Sequence, residues 1–288
     1  MDQLVSIICT CYNHASFVSE ALLSAIQQDH PKLEIIIIDN GSVDGSKALI
    51  KKLIVKYPFI KFLDIPEPIP YPKAFNKGLS LSKGQFIVDL SADDILLPNR
   101  VSAGLVAFNN QDESYGVNFC DGWIINKDGK TLGTHYKRDT DGKLSEPVPQ
   151  GNIFSHLVER YFILSPTMMI RRSVFDYMNG YDESLDYEDF DFWVRSSRIY
   201  KYCFSDQVLI KRRKLKNSFS KKQYRWRSRI LDTNFRVCEK ALYLCQNSTE
   251  RSLLRKRVIY EWRKAMQLGR IELFLPYLKL IIKVNNGS

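Results

Sequence analysis

The chain has 288 residues, of which 44% are hydrophobic and 26% charged, a globular composition that excludes a disordered chain. No apolar run approaches the roughly 20 residues of a membrane-spanning helix, and the first residues lack the basic region of a secretion signal. The net charge of +10 is uneven: residues 201–288 carry 22 Lys and Arg against 6 Asp and Glu, whereas residues 1–200 carry 20 against 26.

The first strand–helix unit opens the chain. Leu4–Cys9 is a short apolar run with β-branched residues, which predicts a buried strand. Phe17–Gln28 predicts a helix with Ser16 as its N-cap. Glu34–Ile38 predicts a second strand, whose nearly continuous apolar run is typical of a parallel strand covered on both faces.

The same alternation continues along the first half of the chain. A helix is predicted to end at Lys56, followed by strands at Lys61–Leu63 and Gln85–Leu90. Repeated strand–helix units imply right-handed crossovers and a doubly wound, mostly parallel sheet. Ligands of such sheets bind at the carboxyl ends of the strands.

The second half is less regular. Residues 127–151, rich in Gly, Asp, Lys and Pro, predict a long surface loop. From about Phe219 the pattern is helical, and one predicted helix carries an apolar stripe formed by Leu231, Phe235, Cys238, Leu242 and Cys245. Arg225, Arg229, Arg236 and Lys240 are predicted on its opposite face.

Six cysteines are scattered without zinc or disulfide spacing. They predict reduced thiols in the core of a cytosolic protein.

Asp93 and Asp94 follow the strand that ends at Leu90. Carboxylates at a strand end suit a divalent cation held beside phosphates, because Mg²⁺ and Mn²⁺ prefer oxygen ligands. A polar turn that caps the next helix is the alternative interpretation of this pair.

Polar residues also end the first two strands: Thr10, Tyr12 and Asn13 after the first, and Asp39 and Asn40 after the second. Tyr12 offers a stacking face, and Asn40 or Asp39 offers hydrogen bonds to the edge of a planar base. Ser42 and Asp44 fit a helix-capping turn as well as they fit this pocket.

A dense acidic segment lies at residues 182–191, with six carboxylates in ten residues interleaved with aromatics. The helix dipole favours acidic residues near a helix N-terminus, which accounts for some of them. A carboxylate walled by aromatics is partly desolvated, which would make it a better general base.

Taken together and in order, these motifs resemble glycosyltransferase family 2. The resemblance spans roughly residues 4–215. Five segments carry it: VSIICTCYN, EIIIIDNGSVDGS, Asn76-Lys77-Gly78, SADDILLPNRV and GYDESLDYEDFDFWVR.

The resemblance implies a Rossmann-like sheet of the GT-A type, with a helical C-terminal extension, and a role for each matching residue. Asp94 would be the ligand of Mn²⁺ or Mg²⁺, and Asp93 would contact the ribose or sugar. Thr10, Tyr12 and the Asp39–Asn40 pair match the nucleobase pocket. Asp189 matches the catalytic base of an inverting, single-displacement transfer, with Glu188 as its rival.

Three positions depart from the family pattern. Asn40 replaces a frequent second aspartate, so the identity of the nucleotide is open between UDP and dTDP, with UDP expected. Ser91 replaces the first carboxylate of the frequent Asp-x-Asp-Asp motif. Lys214 stands near a position where many members have a histidine, and its charge would neutralise a diphosphate instead.

The predicted organisation is a catalytic domain over residues 1–218, followed by a basic helical region over residues 219–288. The catalytic domain divides into a nucleotide-binding half at 1–95 and an acceptor half at 96–218. The expected partners are a nucleotide-sugar donor and a saccharide or lipid-linked acceptor. We also expect peripheral contact with the inner face of an anionic cell membrane through the basic region.

Two other classes compete. The segment Lys211–Arg229 holds ten basic residues with aromatics among them, which is the composition of nucleic-acid or anionic-surface binding proteins. No binding-module motif accompanies it, and a charge run is usually a solvated face. A dinucleotide-binding enzyme would need a Gly-x-Gly-x-x-Gly turn after the first strand, where residues 10–15 read TCYNHA instead.

Overall fold

The structure, a computed structural model, describes residues 3–215, 225–226, 228 and 230–286. Residues 216–224, 227 and 229 of the basic run therefore lie outside the described part. The chain divides into two compact units. The sheet unit comprises residues 1–151, 163–181 and 202–214, and the helical unit comprises 152–162, 182–201 and 215–288.

The strands run in chain order as β1 Val5–Cys11, β2 Leu33–Asn40, β3 Lys61–Ile65, β4 Phe86–Ser91, β5 Ile95–Leu96, β6 Tyr115–Ile125, β7 Thr131–Thr134, β8 Met169–Arg171 and β9 Lys201–Arg213. The helices are α1 Val18–Ile26, α2 Ser46–Lys56, α3 Tyr71–Leu81, α4 Arg100–Asn109, α5 Phe154–Glu159, α6 Arg172–Met178, α7 Glu188–Ser196, α8 Ile230–Leu244, α9 Ser248–Gln267 and α10 Phe274–Asn286. Two short 3-10 helices span Ser165–Thr167 and Ile271–Leu273.

Within the described residues the strands form one sheet, ordered β3-β2-β1-β4-β8-β6-β9-β5, with β7 paired to β6. β3, β2, β1 and β4 are parallel to one another. The strands beyond β4 add antiparallel pairs, such as β4 with β8 and β5 with β9. The predicted doubly wound α/β architecture is confirmed, and the carboxyl ends of β1, β2 and β4 lie next to one another.

Helices of the sheet unit cover both faces of the parallel strands. Alternate residues of β1, including Ile7 and Cys9, join residues of α1, α2 and α4 in one apolar core. Ile8 points to the other face, where α3 packs so closely that a methyl group on Gly78 would lie 2.8 Å from Ile8 and 2.7 Å from Ile38. Glycine at position 78 therefore permits the close approach of α3 to the sheet.

The helical unit contains the predicted C-terminal helices. The apolar stripe predicted from the sequence is buried except at Phe235, with Leu231 and Cys238 fully so, and the half-buried ring of Phe235 lies 5.0 Å from that of Tyr277. The next helix, α9, is capped by Asn247, whose side chain accepts a hydrogen bond from the Glu250 backbone at 2.9 Å, while the Glu250 carboxylate accepts from the Gln246 backbone at 2.7 Å. No helix in the described part of the chain is long and apolar enough to cross a membrane.

Two local predictions are wrong. The N-cap of α1 is Phe17 rather than Ser16, and no side chain caps this helix. The segment 127–151 is not a loop throughout, because Thr131–Thr134 forms β7 and Arg138 pairs with Leu144. All six cysteines are free and buried, as predicted.

Candidate functional site

The loops after β1 and β2 are joined by hydrogen bonds between polar side chains and backbone. Asn13, with a positive φ of 56°, accepts from the Val43 backbone at 2.9 Å, and its own N–H donates to Ser42 Oγ at 3.0 Å. Asp44 accepts from the backbone of Ala15 at 2.8 Å and also from Ser46. The side chains of Asn13 and Asp44 thus hold the loop after β1 against the loop after β2.

Two buried polar atoms lack a partner at this edge of the sheet. Thr10 Oγ1 and Asp39 Oδ2 are both buried and accept or donate no hydrogen bond among the described residues. They lie on neighbouring strands, since Cys11 pairs with Asp39 and Thr10 pairs with Ile38. A buried polar atom without a partner costs about 1–3 kcal/mol, and a ligand that supplies the missing bond would recover it.

Tyr12 and Asn40 stand differently from each other. The side chain of Tyr12 is 48% exposed, which leaves its ring accessible for stacking. The amide of Asn40 is buried and makes two hydrogen bonds with the backbone of Ile69, at 2.8 and 3.0 Å. The structure therefore gives Asn40 a positioning role, in which it holds residue 69 beside the end of β2.

Asp93 and Asp94 form a tight turn between β4 and β5. Asp94 is 5% exposed, and its Oδ1 accepts from the Arg213 backbone N–H at 2.7 Å. Ser91 donates to Asp93 Oδ1 at 2.6 Å. The serine that replaces the first carboxylate of the family motif therefore orients Asp93. Burial, followed by the charge of Asp93, raises the pKa of Asp94 well above its usual range.

Arg213 is the centre of this turn, and its role could not be read from the basic run in which it lies. Its guanidinium is buried, donates to the Asp93 carbonyl at 3.0 Å and to Glu20 at 2.7 Å, and lies over the ring of Phe17. The neighbouring Lys214 is exposed, and its backbone N–H donates to the Ile125 carbonyl at 2.8 Å. The ammonium of Lys214 is thus carried at the surface directly after the buried Arg213.

A carboxylate within β4, that of Asp89, is also held by neighbouring side chains. The hydroxyl groups of Tyr71 and Tyr181 donate to the two oxygens of Asp89, at 2.6 and 3.1 Å. Asn76 makes a two-bond pairing with the backbone of Tyr181 at 2.9 Å in each direction. Asn76 of the Asn-Lys-Gly motif therefore fixes Tyr181 relative to the sheet.

The segment that follows β6 is anchored by charge. Asp121 is fully buried and accepts from Arg138 Nε at 2.8 Å, and Arg138 also bonds Asp206 at 2.7 Å. These pairs tie residue 138 to β6 and β9. The region predicted as a long surface loop is therefore held in place at its centre.

The acidic segment of the helical unit separates into distinct roles. α7 begins at Glu188, and Asp191 is fully buried, bonded to Lys240 and Arg195 at 2.6 Å each. Lys240 also bonds Asp182 at 2.6 Å. Asp191 is thus part of an ion-pair cluster, and the predicted solvated basic face of α8 contributes Lys240 to that cluster.

The two remaining candidates for the base differ in burial. Glu188 is 9% exposed, whereas Asp189 is half-buried. The side chains at 188 and 189 point about 100° apart around the helix. Burial raises the pKa of the Tyr187 hydroxyl well above its usual value, and the negative charge of Asp189 raises it further.

The carboxylates of the sheet unit fit a divalent cation that also binds phosphate. No group of three or more His, Cys, Asp or Glu side chains able to hold a metal occurs among the described residues. Mg²⁺ and Mn²⁺ are commonly held by one or two carboxylates, and substrate phosphates and water complete the coordination. Asp94, with Asp93 beside it, supplies that limited set.

Comparisons with known proteins point to one family. The model of Glycosyl transferase family 2 matches residues 6–178. An uncharacterised glycosyltransferase of Rickettsia prowazekii is 29% identical over 211 residues, which cover 73% of this chain and 64% of the relative. One of Methanocaldococcus jannaschii is 26% identical over 223 residues, covering 74% and 72%. The chain thus spans less than two thirds of the length of the Rickettsia relative.

Solved structures share the fold at low identity. S. aureus TarS 1–349 in complex with UDP-GlcNAc superimposes with a TM-score of 0.66 and 16% identity, covering 98% of this chain and 79% of TarS. The mannosyltransferase PcManGT from Pyrobaculum calidifontis, in complex with GDP-Man and Mn²⁺, gives 0.61 and 15%, covering 99% and 85%. Both comparisons support the predicted GT-A type of architecture.

Proposed function

Because the chain belongs to glycosyltransferase family 2, we propose that it transfers a sugar from a UDP-sugar to a hydroxyl group, with inversion at the anomeric carbon. One observation carries the proposal. The carboxylate turn of Asp93 and Asp94 lies at the end of β4. The adjacent strand β1 carries the unpaired Thr10 Oγ1, and the next strand, β2, carries the unpaired Asp39 Oδ2. The groups proposed to bind the phosphates and the base thus share one edge of the sheet.

Each part of a nucleotide sugar has a proposed counterpart in the sheet unit. Tyr12 would stack on the base, and Thr10 and Asp39 would give it hydrogen bonds. Asp93 would contact the ribose or sugar. Lys214 would neutralise the diphosphate from the surface.

Asp94 would hold Mn²⁺ or Mg²⁺, which when bound supplies charge neutralisation to the diphosphate leaving group. Burial and the charge of Asp93 raise the pKa of Asp94, and a bound cation would favour the ionised form of this carboxyl group. Bound Mn²⁺ in the structural neighbour PcManGT supports the same interpretation.

In the proposed reaction, Asp189 removes the proton of the acceptor hydroxyl. The resulting oxygen forms the new bond to the anomeric carbon as the bond to the diphosphate breaks, and the nucleoside diphosphate leaves. Removal of a general base typically lowers the rate by about 10²–10⁴. The acceptor is proposed to be a saccharide or a lipid-linked saccharide of a cell-surface polysaccharide.

The nucleotide is tested by a thermal-shift screen against UDP, dTDP, GDP and CMP, each with and without Mn²⁺. We expect UDP to stabilise the protein most, because the unpaired Thr10 Oγ1 and Asp39 Oδ2 are the groups proposed to hydrogen-bond a pyrimidine edge. A ligand at about 100 times its dissociation constant stabilises by roughly 2.7 kcal/mol, which the screen detects readily. Selective stabilisation by GDP would exclude the pyrimidine assignment.

A single substitution tests the pocket by two opposite effects. Thr10→Val removes a buried hydroxyl that has no partner, so we expect the free protein to gain about 1 kcal/mol of unfolding free energy. The same change should weaken UDP binding, because the hydroxyl would be paired in the complex. Ser6→Ala on the same strand is the control. The Ser6 hydroxyl already donates a hydrogen bond to Glu34, so this variant should have a lower unfolding free energy than the wild type. An unchanged UDP affinity in Thr10→Val would remove Thr10 from the pocket.

A further inference from the structure

The last helix, α10, carries apolar residues on two sides. The inner side of α10 and of the preceding 3-10 helix Ile271–Leu273 is buried in the helical unit through Leu273, Tyr277, Leu280 and Val284, spaced by four, three and four residues. A second set with the same spacing, Ile271, Leu275, Leu278 and Ile282, stays 37–75% exposed. Phe274 lies beside it and is 40% exposed. We call these five exposed residues the outer stripe.

Two lysines border the outer stripe. Lys279 and Lys283 are one helical turn apart, both exposed, and neither forms an ion pair with a described residue. With Phe235 and Glu239 of α8 they line a groove of about 310 Å³ between α8 and α10. One edge of the apolar surface is therefore cationic, with Glu239 as the acidic group in the groove.

Aromatic rings border the start of the outer stripe. The indole of Trp226 is 70% exposed and packs over Gly269, where a methyl group would come within 2.7 Å of the ring. The ring of Trp262 lies 5.7 Å from that of Phe274. Tryptophan is enriched where proteins meet the headgroup region of a bilayer, because its ring is apolar and its N–H is polar.

The size and composition of the outer stripe favour a lipid surface over a second protein chain. A stable protein–protein interface needs roughly 20–30 residues on each side, and lysine is depleted in its core. The outer stripe has five apolar residues bordered by two lysines. Apolar and aromatic residues beside lysines are the composition of surfaces that lie in a membrane interface.

We propose that the outer stripe seats this protein on an anionic bilayer, with its apolar side chains among the acyl chains and Lys279 and Lys283 at the headgroup phosphates. The net charge of +16 over residues 201–288 adds long-range attraction to the same surface. The proposal goes beyond sugar transfer and does not depend on it. Within the basic C-terminal region, the proposed membrane contact is α10 and not the basic face of α8, because Lys240 on that face is bonded to Asp182 and Asp191.

The test is co-sedimentation of the full chain with phosphatidylcholine vesicles, with and without phosphatidylglycerol. We expect binding to the anionic vesicles only. Leu275→Ser/Leu278→Ser should lower the partition coefficient at least about tenfold, equivalent to about 1.4 kcal/mol. Val55→Ser/Leu132→Ser is the matched control, since these side chains are 86% and 58% exposed in the sheet unit and should leave binding unchanged.

A charge variant separates the two contributions. Lys279→Gln/Lys283→Gln should weaken binding and flatten its salt dependence, because exposed charges are screened beyond about 8 Å at physiological ionic strength. In the wild-type chain the emission of Trp226, obtained by difference from Trp226→Phe, should shift to shorter wavelength on anionic vesicles. This measurement needs no change in α10 and therefore holds even if the serine variant is unstable.

Three results would overturn the proposal. The first is equal binding of the wild-type chain to neutral and anionic vesicles, and the second is unchanged binding of a folded Leu275→Ser/Leu278→Ser variant. The third is a pair of observations: the wild-type chain does not bind vesicles, and analytical ultracentrifugation shows a concentration-dependent dimer that is lost in this variant. That last result would assign the outer stripe to a second copy of the chain.

Discussion

Replacing Arg213 with methionine should destabilise the protein and loosen the carboxylate turn. The guanidinium is 3% exposed and donates to three backbone carbonyls, those of Asp93, Asn126 and Lys127, at 3.0–3.3 Å. It also bonds Glu20 at 2.7 Å. Methionine keeps the length of the apolar stem but supplies none of these four donors.

The size of the effect follows from which bonds are buried. The side chain of Glu20 is 58% exposed, so its ion pair contributes at most about 1 kcal/mol. Each bond from a charged donor to a buried carbonyl contributes about 1.5 kcal/mol or more, offset by the cost of burying the charge. We therefore expect a net loss of about 3 kcal/mol, or roughly 6–12 °C in Tm for a chain of this size.

Urea unfolding of Arg213→Met, beside Lys211→Met as the control, measures this loss. The control removes the same charge two residues earlier on β9, from a half-buried side chain. Calorimetry with UDP should also show a smaller gain from Mn²⁺ in Arg213→Met, because the turn that carries Asp94 is less ordered. If both variants had unfolding free energies within about 0.5 kcal/mol of each other, the central role of Arg213 would be refuted.

Three further expectations concern the carboxylates. Asp94→Ala should remove the gain in UDP affinity that Mn²⁺ gives the wild type, and equal affinity of the wild type in EDTA would contradict the metal role. Asp189→Asn should lose most of the transfer activity but keep UDP affinity and stability, whereas Asp191→Asn should lose stability because it breaks the buried ion pairs. A collapse of the transfer rate in Glu188→Gln, with a near-normal rate in Asp189→Asn, would identify Glu188 as the base instead. The third concerns pH: burial opposes ionisation of Asp182, but hydrogen bonds from Lys240 and Ser184 outweigh it and lower its pKa to about 2. Since the folded pKa lies below the usual value of 3.8, this contribution to stability is present above about pH 4 and lost as the pH falls toward 2. Lys240→Met should flatten the acid limb of the stability curve, and an unchanged limb would show that the pair contributes nothing.

The layered fold could be predicted because its signal is local. The apolar run of Ile35–Ile38 and the spacing of Leu231 and Cys238 are periodic patterns that survive in the folded protein. The N-cap of α1 could not be predicted from the side-chain preference of Ser16, because backbone bonds from residues 17 and 18 to the His14 carbonyl begin that helix instead. Short-range preferences are easily outweighed by such contacts.

The strand ends that carry the candidate residues could be predicted from the sequence, but which of these residues are buried, paired or exposed could not. Arg213 and Lys214 are adjacent and both basic, yet one is buried and the other exposed, and only the fold distinguishes them. Asn40 could equally have faced a base, but the peptide of Ile69 occupies its amide. Bonds between residues 29 to 120 positions apart leave no periodic trace in the chain.

The interleaving of the two units bears on how the protein is made. The chain passes from one unit to the other five times, at residues 151, 162, 181, 201 and 214. On a ribosome, β1 to β4 can pair as soon as residue 91 has emerged, but the outer edge of β4 waits for β8, which begins only at Met169. Until then the open edge of the sheet is a site for mispairing with other chains. Slow translation between residues 91 and 171 would lengthen that exposure, so the synthesis rate over this stretch should govern the yield of native protein.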